Sequence, residues 1–396
     1  MLSRLLISSL AIMLCHAASA GEKLDFDGFV GLGFMTESAN NFAAVDGDSN
    51  EIVEIGLRAS YSLNENIMFT GQIGLRRFGD FATEKKPRID YAQMNYTTSW
   101  WKNSEQVISI GRVKNQLGLY NLARDITLSR PSIILPQSAY LELLRNLFLS
   151  SDGIAISSHS YLKTGILSAT LSAGQIKIDD NFNHVMLDEF TAGNWSERSS
   201  ISADLRYATD ALIMGVSFHR INPQYNTAPN DRIPFVPIGS NVPAINGKLE
   251  MDSYFAFAQY TKNKFEFSAE YSYREVDITG FTPGQSLDRS MEGFYVQTKY
   301  LLSTSWSFTA RYEDFYRLAE NKNGVQTPFF TFPDWYNNAR TVSLSTAYNI
   351  NPHWTLMADV HLVKGSGFLA PFATPTLDST EKQNWTLSAI QLIYSF

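Results

Sequence analysis

Apolar and polar residues alternate with period two along most of this chain. Phe265, Phe267, Ala269, Tyr271 and Tyr273 interleave with Glu266, Ser268, Glu270, Ser272 and Arg274. Val53, Ile55, Leu57, Ala59 and Tyr61 interleave with Glu54, Gly56, Arg58 and Ser60. Trp306, Phe308, Ala310 and Tyr312 do the same with Ser307, Thr309, Arg311 and Glu313. A strand sends successive side chains to opposite faces, so each run has one greasy and one hydrophilic face. The runs cover about 9–12 residues, the length of a tilted strand crossing a bilayer and longer than the roughly 5–6 of soluble sheets.

The connectors repeat as well. Tyr61, Tyr96, Tyr161, Tyr207, Tyr260, Tyr300 and Tyr348 each precede a short polar turn. Each interval between these tyrosines holds one strand out, one longer loop and one strand back. The count is sixteen strands, expected at 24–35, 51–62, 67–78, 88–98, 105–115, 152–160, 164–175 and 199–208 in the first half. The second half gives 211–220, 249–261, 264–275, 289–301, 305–316, 338–349, 353–364 and 383–396. Tight and longer connections alternate strictly. The predicted fold class is therefore all-β, a transmembrane antiparallel β-barrel of sixteen strands with short periplasmic turns and long extracellular loops.

Composition and the chain ends agree. Charged residues make up 18%, below the ~25% of ordinary soluble domains. Tyr (19) and Phe (26) outnumber the 32 Lys and Arg, which excludes a disordered chain. A net charge of −7 leaves no basic excess for nucleic acid. Residues 1–20 read as a signal peptide: Arg4, an apolar stretch Leu5–Leu14, and Ala18-Ser19-Ala20 before cleavage. The alternative, a lipoprotein processed at Cys15, lacks the small residue expected at Leu14. Cleavage leaves a mature chain of 21–396 with no cysteine. No later stretch is apolar for long enough to span as a helix. Trp100, Trp101, Trp306 and Trp354 fall at the tight-turn rim, and Trp195, Trp335 and Trp385 near the other, as two interfacial girdles would require. The last strand alternates Ile390, Leu392, Tyr394 and Phe396 and ends on an aromatic.

Sixteen strands, an export signal, a terminal Phe and one very long third loop together resemble the Gram-negative outer-membrane porin family. The loop, 116–151, opens from Gly111-Arg112-Val113-Lys114 into Gly118-Leu119-Tyr120-Asn121, which resembles the strand-to-loop entry of porin-like chains. The resemblance implies that this loop folds into the barrel as a constriction, that the protein is a homotrimer in the outer membrane among lipid and lipopolysaccharide, and that small hydrophilic solutes diffuse through it. The loop's own residues fit an inward fold: Leu117, Leu119, Tyr120, Ile133, Ile134 and Leu135 are more apolar than an exposed loop needs. Residues 139–149 have helical spacing, with Ser138 placed to cap.

Strand parity sends Glu54, Arg58, Arg76, Asp204, Arg206, Glu266, Glu270, Arg274, Lys299, Arg311, Glu313, Asp359 and His361 inward. Such a mixed-sign wall keeps a channel wet and sets up a transverse field. Arg58, Arg76 and Arg112 are expected to face Asp125 and Glu142 of the loop. Arg124, Arg130 and Arg145 make the loop more basic than acidic, a departure from acidic constriction loops that opens the way to anion preference. In strand 105–115, Arg112 shares parity with Ile108 and Ile110, so either a bulge intervenes or Arg112 lies above the apolar band. In 249–261, the Phe255/Phe257 and Tyr254/Ala256/Ala258 sets compete for the lipid face.

Three functions follow. The first is a passive channel for small hydrophilic solutes. The second is a channel specific for an anion or an oligosaccharide. The third is a barrel without a channel, serving as adhesin, receptor or lipid-acting enzyme. Catalysis has little support: the histidines are scattered, and there is no Walker loop, HExxH or CxxC. No cofactor is expected. Asp179-Asp180-Asn181 with Asp188-Glu189 reads as a solvated loop rather than a metal site.

Overall fold

The two ends of the chain meet. β1 (Leu24–Glu37) pairs antiparallel with β16 (Asn384–Ser395), in register from Phe29 opposite Ser395 to Glu37 opposite Leu387. Gly28 and Phe396 exchange two more backbone hydrogen bonds, each 3.1 Å. Between them run β2 (Glu51–Ser62), β3 (Ile67–Phe78), β4 (Arg88–Thr98), β5 (Ser104–Lys114), β6 (Ser150–Leu162), β7 (Gly165–Ile176) and β8 (Ser199–Ala208). Then come β9 (Leu212–Ile221), β10 (Gly247–Lys262), β11 (Phe265–Gly280), β12 (Ser286–Leu301), β13 (Trp306–Tyr316), β14 (Asn338–Asn349) and β15 (Trp354–Gly365). Each pairs antiparallel with its neighbours in chain order. The result is a closed sixteen-stranded barrel. The computed structural model describes the chain apart from residues 1–22, 43–49, 80–85, 179–181, 183–191, 197, 230, 234–241, 244, 282–285, 323–332 and 370–381. The expected signal peptide and the acidic stretch around 179–189 therefore lie outside the described residues.

The alternation read from sequence becomes two surfaces. Outward positions are apolar and exposed: Leu171 is 64% and Leu344 63% accessible, with Leu32, Val216 and Leu362 close behind. Water would make such a belt costly, whereas hydrocarbon covers it. The tight-turn tryptophans Trp100, Trp101, Trp306 and Trp354 point outward. The opposite girdle differs from expectation. Trp385 shares the inward parity of Leu387 and Ala389, is buried, and donates its Nε1–H to the Gly365 carbonyl at 2.9 Å. Trp195 packs against Phe182, Tyr225 and Phe281 instead of lipid. Trp385, its hydrogen bond satisfied inside, and Trp195, packed among three aromatic rings, both gain more from packing than from an interface.

Strand lengths also depart from the reading. β10, β11 and β12 each run 16 residues, so the connection from β11 to β12 is short, and tight and long connections do not alternate there. In β10 the phenylalanines win the inner face: Phe255 and Phe257 are buried, while Tyr254, Ala256 and Ala258 look outward.

Closure leaves no slack at the seam. A Cβ on Gly33 of β1 would run into the Ile390 carbonyl oxygen and the Cα of Gln391 on β16. Gly33→Val is expected to cost about 1–3 kcal/mol by overpacking. Gly71→Ala, whose nearest backbone neighbour is 3.2 Å away, is expected to cost less. Urea midpoints of tryptophan emission in detergent measure both.

Candidate functional site

The connection from β5 to β6 is the longest between two strands of the wall, and most of the apolar side chains it carries are buried. It contains short 3-10 turns at Asn121–Ala123, Thr127–Ser129 and Glu142–Leu144 and one α-helical turn, α1 (Arg145–Leu149). The helix expected over 139–149 is thus only its second half, and Ser138 caps nothing. The wall supplies the reason. Ser138 donates its N–H to Glu313 Oε2 at 3.0 Å and its carbonyl accepts from Ser272 Oγ at 2.6 Å. Tyr140 donates its hydroxyl to Glu270 at 2.8 Å. These contacts fix 137–140 against the wall as a separate turn, with the Tyr140 N–H on the Pro136 carbonyl at 2.8 Å, so the helix starts only after it.

The loop crosses the lumen completely. On one side its Asn115 side chain reaches Ser151 of β6 and its Gly118 N–H reaches Ser217 of β9. On the other, Ile134 N–H meets Asp359 of β15 at 3.0 Å, and Arg311 of β13 donates to Ser132 Oγ and the Ile134 carbonyl. Leu117, Ile133, Ile134, Leu141, Leu144, Leu147 and Phe148 form one apolar core with inward side chains of the wall such as Phe29, Ile52, Phe78, Met251 and Phe255. One cavity within the packed loop, lined by Leu117, Phe148, Arg124 and Arg274 among others, is about 10 Å³ and holds one water at most. Where a wet wall was expected, the described loop and wall residues pack against one another. Inward parity carries polar residues at mid-barrel and apolar ones towards the long-loop rim, and the latter need a partner.

Charge is distributed through this packing. Glu54 of β2 is the centre: Arg76 Nε donates to it at 3.0 Å, Arg130 forms a two-pronged ion pair with it, Thr127 adds its hydroxyl at 3.1 Å, and Gln391 its amide at 3.0 Å. Arg76 also reaches Glu142 of the loop at 2.6 Å. Arg124 lies 3.6 Å from Glu142 and donates to the Tyr140 and Leu141 carbonyls. Burial opposes the charged form of Glu142, but Arg76 and Arg124 outweigh it and hold its carboxyl below the usual range. Arg145 is buried, with Asn146 its one acceptor among the described residues, and burial with Arg76 nearby lowers its pKa to about 9, so it stays charged at neutral pH. Arg274, 1% exposed, donates to the Ala139 carbonyl and stacks over Phe148 and Phe255. Glu313 lies 3.5 Å from Arg311.

Of the sequence-derived residues, Arg76, Glu142, Arg124, Arg130, Arg145, Glu270, Arg274, Arg311 and Glu313 come together around the loop. Two do not. Arg58 pairs with Asp27 on the neighbouring β1, its Nε 2.5 Å away, below the loop. Arg112 keeps the parity of the exposed Ile110 and forms a two-pronged pair with Asp152 on the outer face, at 2.6 and 2.7 Å. Asp125 accordingly meets Lys114, at the end of β5, at 2.6 Å. Lys114, Tyr140, Tyr295 and Gln391 were missed. Their signal was weak, since a tyrosine or glutamine on a strand has many uses. Ser343, His361 and Asp359 line up on β14 and β15, with Ser343 Oγ 2.7 Å from His361 Nδ1 and the other ring nitrogen 3.6 Å from Asp359. All three are at most 2% exposed, so a substrate has no approach in this packing.

No protein-family model matches the chain, and no curated protein matches it in sequence. Solved structures do match in shape. An anion-selective porin from Comamonas acidovorans superimposes with a TM-score of 0.53 at 11% identity, over 94% of this chain and 99% of that one. Salmonella typhi OmpF, in complex with daunomycin, gives 0.56 at 11% identity, over 95% and 98%. In-vitro folded OmpT, an outer membrane protein of Vibrio cholerae in trimer form, gives 0.56 at 11%, over 94% and 99%. The chain has the porin fold. At such identities the likeness concerns architecture, and the side chains must speak for themselves.

Removing one partner from a buried ion-pair cluster strands the others. Glu54→Gln leaves Arg76 and Arg130 without their shared carboxylate and is expected to cost about 3–5 kcal/mol. Arg58→Gln breaks a partly exposed pair and is expected to cost about 1 kcal/mol or less. Unfolding midpoints in urea, compared with wild type, distinguish the two.

Proposed function

We propose that the protein is an outer-membrane channel with a restricted passage, admitting small hydrophilic solutes past the loop that fills its lumen. The observation that carries this reading is a closed barrel with an apolar exterior, crossed inside by its own loop on polar and ionic contacts. The core alone would make a plug, but Glu54, Arg76, Arg130 and Glu142 make one that polar solutes and water can compete for. The packing favours a selective passage over general diffusion. The basic excess of Arg124, Arg130 and Arg145 on the loop favours anions, in keeping with the anion-selective porin among the structures of similar shape. The proposal includes export by cleavage after Ala20, a homotrimer set among lipid and lipopolysaccharide, and no enzymatic activity.

A second reading has one observation in its favour. The packed lumen suits a barrel that conducts nothing and serves as receptor, adhesin or lipid-acting enzyme.

Planar-bilayer recording of the purified protein tests the choice. Small stepwise conductances are expected from the wild type. Replacing residues 128–138 by a short Gly-Ser linker is expected to enlarge each step several-fold. No steps from wild-type protein overturns the channel, whatever the shortened variant does. Phospholipid hydrolysis by the same preparation would point to the enzyme.

A further inference from the structure

Below the plug, on the tight-turn side, the lumen keeps a cavity of about 160 Å³. Leu128, Arg130 and Pro131 of the loop close it on one side, and β12 to β15 with the turn between β12 and β13 form the wall. Its lining is chemically one-sided. It has two cations, Arg130 and Lys299, five hydroxyl side chains including Ser307 and Thr355, the amide of Asn349, and no carboxylate.

Lys299 is unspent, and Arg130 keeps one donor free. Lys299 has no hydrogen-bond or ion-pair partner among the described residues, although Glu266 lies opposite it in the β11–β12 ladder. Arg130 is 5% exposed; its terminal nitrogens sit on Glu54, and its Nε has no acceptor. Glu54 is the carboxylate that holds Arg130, so Lys299 supplies the unspent charge and Arg130 a spare donor. The space is several times what one water needs, which suits a phosphate or a short carboxylic acid. Charge-assisted bonds from an ammonium and a guanidinium, with hydroxyl donors around them, are what a small oxyanion needs.

We propose that this cavity is a binding subsite for a small oxyanion, a carboxylate or phosphate, entering from the tight-turn mouth. Its role as a stopping place for a crossing solute rests on the channel reading; the binding itself does not.

Calorimetric titration of the whole protein in detergent at low salt tests it, with inorganic phosphate in one arm, succinate in another, and glycerol as neutral control. Saturable binding of phosphate, succinate or both is expected, and the arm that responds names the source. Lys299→Gln is expected to weaken binding at least tenfold, and Lys299→Arg to restore most of it. Lys299 is partnerless and half-buried, so both variants should fold, and heat-modifiable migration checks this. No saturable binding of either probe overturns the subsite, as does binding that Lys299→Gln leaves unchanged. Conductance is read separately. A protein that binds phosphate without conducting removes the channel and keeps the subsite; one that conducts and binds neither anion does the opposite.

Discussion

A backbone amide facing hydrocarbon has no water to bond, and everything else in this structure follows from that constraint. It requires a ladder with no open edge, and the chain meets it by pairing β1 with β16 through Gly28 and Phe396. Once the sheet is closed, each strand has one face in lipid and one face enclosed. The outer face can then be uniformly greasy. The inner face becomes a separate design problem, because it surrounds a volume that a sixteen-stranded wall cannot fill with its own side chains.

The loop from β5 to β6 answers that problem in two ways at once. Its leucines, isoleucines and Phe148 complete an apolar core with inward wall residues such as Ile52, Phe78 and Met251. Its arginines and Glu142 join a polar cluster centred on Glu54. Apolar packing resists entry of water, while a buried charge cluster is only as stable as its geometry. The combination gives a closure that is firm in one half and polar in the other. The cavity below it, where Lys299 has no partner among the described residues, lies on the tight-turn side of the loop.

Much of this was legible in advance because period two is a local property. Sixteen strands, their order, the tight-turn positions and the lipid-facing sets needed only neighbouring residues. Arg76 meeting Glu142 was legible because the parity of β3 pointed Arg76 inward and the loop had few acids to receive it. Arg112 was misplaced because its partner, Asp152, lies on a neighbouring strand in register, and register depends on pairing rather than on spacing. Trp385 was misread because a rim tryptophan and a core tryptophan have the same position along the strand and differ only in which face they share. Leu387, Ala389 and Ile393 on that face already announced an apolar interior, but beside Gln391 the signal was easily taken as exceptional.

The sequence by itself determined the barrel, since alternation of this length has no other stable use once a bilayer is the solvent. Only the tertiary structure decided that the interior is packed rather than open at the level of the loop. Whether a side chain inside a barrel touches water or another side chain depends on how far the loop reaches across, and that distance is set by contacts among residues as remote in the chain as Ile134 and Asp359.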